Sequence, residues 1–145
     1  MLANLLRHLV APPPAHHPDE ARVALGALMV RLCRADGRYS DAERRRIDAA
    51  LARQYRLAPD AAARIRTDAE RTEAAAQDTV QFTRLVKDAV PYDERTGIVE
   101  ALWRVAATDG INADEHGLMR LIVNLLGVSD VESGLARQRA LRGEG

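Results

Sequence analysis

Six carboxylates in two short stretches are the residues most able to do chemistry: Asp36, Asp41 and Glu43 in the first, and Asp109, Asp114 and Glu115 in the second. Gathered on one surface, they would offer the oxygen ligands that a hard divalent cation such as Ca²⁺ or Mg²⁺ requires. The first stretch imitates half of an EF-hand loop, with Asp36, Gly37 and Glu43 in the relation of its fifth, sixth and twelfth positions. Leu32 and Arg34 stand where the early carboxylates should be, and the second stretch ends on His116, so an EF-hand is excluded. A structural account competes with the metal. Ser40-x-x-Glu43 and Asn112-x-x-Glu115 both read as capping boxes, and Asp-Gly is a common helix stop.

Other chemistry lacks its residues. Asp36 and Asp109 could in principle serve acid–base catalysis, but no pocket is indicated around them. His8, His16, His17 and His116 include one adjacent pair and no cysteine cluster, so a zinc site is not expected. The glycine-rich phosphate loops and the serine-hydrolase elbow are absent. Cys33 is the lone cysteine, which rules out an intramolecular disulfide, and its place in an apolar row marks it as core. Trp103 reads as a core anchor. Arg44, Arg45 and Arg46 read as a solvated face.

The elements that carry these residues are helices. The 145 residues are 47% hydrophobic, with one Phe, one Trp and three Tyr, so the core must come from Ala and Leu packed along helices. Met1 to Val10 carries Leu2, Leu5, Leu6 and Leu9 at helical spacing, and prolines in Ala11 to Pro18 form a linker. Residues 1–18 are thus a helix and linker, and 19–142 a single domain. Further helices are predicted after Asp19, after Ser40 to about Arg56, from Pro59 to about Ala76, after Asp78, after Asp93 to about Thr108, after Asn112 and after Ser129. No stretch alternates apolar and polar residues over strand length, so the fold class is all-α, a bundle of seven to eight helices.

The chain also repeats itself. At an offset of 73, Leu25, Leu28, Met29, Leu32 and Cys33 fall on Ile98, Ala101, Leu102, Val105 and Ala106, and Asp36-Gly37 falls on Asp109-Gly110. Past the turn the offset is 72, with Ser40 on Asn112, Glu43 on Glu115 and Ile47 on Met119. Two such helix hairpins packed about a pseudo-twofold axis would bring both acidic turns to one end.

At Leu28 to Ile47 and Val99 to Val128 the sequence resembles the tellurite-resistance TerB family, in its stand-alone bacterial branch. The resemblance rests on Arg34-Ala-Asp-Gly-x-x-Ser-Asp-x-Glu43, on Val99-Glu-Ala-Leu-Trp-Arg-Val-Ala-Ala-Thr-Asp-Gly110 and on Asn124-Leu-Leu-Gly-Val128. It implies an all-helical domain with acidic turns suggested to bind metal, a loose link to stress response and tellurite resistance, and no enzymatic activity. The shorter second turn, with His116 and Gly117 after it, departs from the family pattern and weakens a metal there.

The expected function is a non-enzymatic binding or scaffold module, with a carboxylate-based enzyme and a purely structural oligomerisation domain as alternatives. The only cofactor expected is the divalent cation. The 21 basic and 21 acidic residues cancel, which removes the global attraction to nucleic acid or anionic membrane. No membrane insertion is expected, nor a secretory leader, so the location is cytoplasmic. A protein partner is expected, and a second copy docking through the N-terminal leucine face is the first choice.

Overall fold

The computed structural model describes residues 18–75, 78–106 and 113–143. Among them are seven α-helices and no strand: α1 Pro18–Arg34, α2 Asp41–Tyr55, α3 Pro59–Ala74, α4 Thr79–Ala89, α5 Arg95–Ala106, α6 Ala113–Leu125 and α7 Asp130–Arg142. The helix expected over Met1–Val10, the linker up to residue 17, the Asp109-Gly110 turn and the cap Asn112 lie outside the described residues. No helix among those described is long and apolar enough to cross a membrane.

Local signals set most of the helix ends. Gly37, at φ 84°, follows α1 in a left-handed conformation that would strain other residues, and its N–H donates to the Arg34 carbonyl at 2.9 Å. Ser40, Asp78 and Ser129 cap α2, α4 and α7 with side-chain oxygens, as expected. Two starts differ from the sequence reading. Pro18 belongs to α1 and not to the linker, because its fixed φ suits a first turn where no N–H is needed. Asp93 does not cap a helix; it sits in a 3₁₀ turn, Tyr92–Glu94, that tightens the chain into α5.

The core forms around α1 and α5, the central helix of each repeat. Leu25, Leu28, Met29, Leu32, Ile98, Leu102 and the lone Phe82 are all fully buried. Helix α3 packs along α1 as α7 packs along α5, while α2 crosses to α5 and α6 touches α1. The repeat therefore has three helices, α1–α3 and α5–α7, with α4 between them, packed on α1 and α6. In the third helix the offset falls to 71: Ala62 matches Ser133, Ile65 matches Ala136 and Ala69 matches Ala140, and all but Ile65 are fully or nearly fully buried.

The approach of α3 to α1 is close because Gly26 leaves room. A Cβ added there would lie 2.8 Å from Ala69 Cβ, a contact between two rigid backbones that neither can relieve by rotating a side chain. Salt bridges close the outside. Glu100 on α5 accepts from Arg104 at 2.7 Å and from Arg139 on α7 at 3.3 Å.

Candidate functional site

The acidic residues of the first turn are placed by the end of α1 and the start of α2. Glu43 closes the capping box: its Oε1 accepts the Ser40 N–H at 2.9 Å, while Ser40 Oγ accepts the Glu43 N–H at 3.1 Å. Asp41 pairs with Arg44 at 2.7 Å. Asp36 Oδ1 accepts the Arg38 N–H at 2.9 Å, a local turn of the kind aspartate favours. Each carboxylate of this turn is thus engaged by its own neighbourhood. In the second hairpin Asp114 is exposed and Glu115 buried, both in the first turn of α6. Asp109 lies outside the described residues.

Groups from both hairpins act on the buried Cys33 thiol: Glu43 and Arg46 of α2 and, least of all, Glu115 of α6. Burial pushes the thiol well above its ordinary range, and the charge and hydrogen bond of Glu43 add to that. The neighbouring Arg46 only partly opposes it, and the net direction disfavours the reactive thiolate. Arg46 also donates to the Val105 carbonyl at 3.4 Å, joining α2 to the end of α5. Among the described residues, however, no three His, Cys, Asp or Glu side chains gather as a metal ion would require.

A second charged cluster was not anticipated. Glu70 on α3 accepts from Tyr39 Oη at 2.6 Å and from Arg44 Nε at 3.0 Å through one oxygen, and from Arg66 Nη1 at 3.2 Å through the other. Arg66 also grips Asp48 at 2.7 Å, and Arg44 lies 4.6 Å over the Tyr39 ring. Partial burial, the largest single influence on Glu70, works to raise its pKa. The hydrogen bonds from Tyr39 and Arg44 and the charges of Arg66 and Arg44 outweigh it and hold the carboxyl below the usual range. The run Arg44 to Arg46 is therefore not merely solvated: only Arg45 is exposed, while Arg44 and Arg46 bind other elements.

Trp103 is a core residue, as read from sequence, and its indole N–H donates to Ser133 Oγ at 3.0 Å. No carboxylate of the acidic turns lines the clefts at α5–α7, at α1, α3 and α4, or along α3.

Comparison with known proteins agrees with this architecture. The profile of the family described as Tellurite resistance protein TerB matches residues 22–138. A crystal structure of a protein of unknown function from Porphyromonas gingivalis W83 superposes with a TM-score of 0.61 at 16% identity, covering 88% of this chain and 95% of the other, a likeness of fold alone. No curated protein matches the sequence. With the family profile running from within α1 to within α7, the chain belongs to the TerB family.

Proposed function

We propose that this chain is a non-enzymatic binding module whose contact surface is the end of the bundle where the two hairpins meet. What supports the reading is that Glu43 and Glu115, one from each repeat, both act electrostatically on the buried Cys33 thiol. An enzyme built on the same carboxylates would set them in a concave pocket with a free nucleophile or base. Here Glu43 is engaged in its cap and Asp41 in an ion pair, and burial disfavours the Cys33 thiolate.

The same arrangement favours a divalent cation, Ca²⁺ or Mg²⁺, held by Asp36, Asp41, Glu43, Asp109, Asp114 and Glu115. The described carboxylates do not form a ligand set as they stand. Binding must draw in Asp109 and compete with the Arg44 pair and the capping box, which makes it weak and suits a regulator better than a resident ion. A ligand of the folded state alone raises the melting temperature by mass action. Millimolar Ca²⁺ or Mg²⁺ added to chelator-treated protein is expected to raise it, and Asp36→Asn with Asp109→Asn to remove the rise. An unchanged melting curve in the parent protein eliminates the cation.

A stress-linked role in tellurite resistance and a cytoplasmic setting, where a lone thiol stays reduced, belong to the same proposal. So does a homodimer through residues 1–10. Removing residues 1–14 is expected to halve the solution mass, and a mass unaltered beyond the deleted residues rejects the dimer.

A further inference from the structure

Helices α5, α6 and α7 enclose an open cleft of about 370 Å³, inside the range that small molecules occupy. Its floor is Trp103, only 6% exposed, with the apolar side chains of Met119 and Val123 beside it. The indole N–H is already engaged by Ser133, so the ring contributes to the cleft only the strip that Arg137 and His116 leave open. One wall is the His116 ring, edge-on to Trp103 with centroids 6.5 Å apart and planes at 68°. The other is Arg137, whose guanidinium carbon stands 4.9 Å from the indole centroid.

The charges around this floor do not balance. Arg137 pairs with no carboxylate among the described residues, so a desolvating aromatic surface holds a guanidinium whose fork of donors is open. Arg120 at the rim meets Asp130 only loosely, at 3.7 Å, with both side chains about two-thirds or more exposed. That pair is screened and weak, and its arginine is easily recruited. The first turns of α6 and α7 supply other lining residues, among them the Asp130 carboxylate that faces Arg120.

We propose that this cleft binds a small organic anion, its flat or apolar body against Trp103, Met119 and Val123 and its phosphate or carboxylate between Arg137 and Arg120. Guanidinium pairs recognise such groups through parallel N–H···O bonds, and an apolar body gains contact with the cleft that an inorganic ion does not. None of the turn carboxylates takes part, so the site stands or falls independently of the cation.

Trp103 is the only tryptophan in the chain, so its fluorescence reports on this cleft alone. The test titrates phenyl phosphate into the full chain, following that emission with calorimetry in parallel, and repeats the titration with benzoate, inorganic phosphate and benzylamine. Phenyl phosphate or benzoate is expected to saturate, with inorganic phosphate at least about tenfold weaker and benzylamine silent. Arg137→Gln is expected to weaken the aryl anion by about tenfold or more and the exposed Arg120→Gln by a smaller factor, while Arg142→Gln leaves it unchanged. Arg120→Gln keeps the test valid should the Arg137 variant fail to fold. Calorimetric silence for both aryl anions up to about 10 mM, equal binding of benzylamine, or indifference to Arg120→Gln and Arg137→Gln overturns the assignment.

Discussion

Glu70 shows how much a single half-buried carboxylate can organise. It ties the turn after α1, the first turns of α2 and the middle of α3 through Tyr39, Arg44 and Arg66. Its pKa is lower in the folded protein than in the unfolded chain, so its stabilisation is complete above about pH 4.5 and is lost as the pH falls through the depressed value. Glu70→Gln is expected to cost about 2 kcal/mol at neutral pH, the scale of a hydrogen bond to a charged group, and to flatten the acid limb of the stability curve. Urea melts at pH 7 and pH 3 measure both effects; equal losses at the two values contradict the assignment. This cluster was not legible in the sequence, because the Tyr39 and Arg44 bonds bridge 31 and 26 residues and no local spacing announces them. The Ser40–Glu43 box was legible, because both of its bonds lie within one turn. Cys33 was read correctly as core from its row of apolar neighbours, but the influence of Glu43 and Glu115 on it depends on how the hairpins cross.

At the scale of elements, caps and breakers located the helices, and the apolar rows of α1 and α5 disclosed the first two members of the repeat. The third pair escaped because its buried face is made of alanines and a serine, which carry little hydrophobic signal: Ala62 and Ala69 in α3, Ser133, Ala136 and Ala140 in α7. Small residues are what allow α3 to lie so close to α1, and Gly26 is the counterpart on the facing helix. Substituting it separates two opposing effects. Alanine favours the helix by about 1 kcal/mol, but a Cβ at 2.8 Å from Ala69 overpacks the crossing by about 1 to 3 kcal/mol. Gly26→Ala is therefore expected to destabilise by about 1 kcal/mol net, lowering the melting temperature by roughly 3 °C. Ala69→Gly added to it is expected to recover part of the loss, a coupling that a double-mutant cycle measures. Simple additivity of the two changes means that the helices do not meet there.

The described residues form two three-helix units joined by α4, with an offset that shrinks from 73 to 72 to 71 along the repeat. Each successive member of the second unit arrives one residue sooner, in connections and not in helix faces, so the buried positions stay in register while the turns differ. That is why the second acidic turn departs from the first although the buried row of α5 keeps the spacing of that of α1. Since α2 packs on α5 and α6 on α1, neither unit covers its own central helix alone; the core is closed by exchange between them. A chain severed at the exposed Pro91, between α4 and the 3₁₀ turn, leaves each piece with one unit and an uncovered apolar face. The two pieces are expected to be largely unstructured apart and to regain helical circular dichroism when mixed in equal amounts, at a titration endpoint of one to one. Such complementation would make the intact protein the covalent counterpart of a dimer, its ancestral symmetry still recorded in which half shelters which.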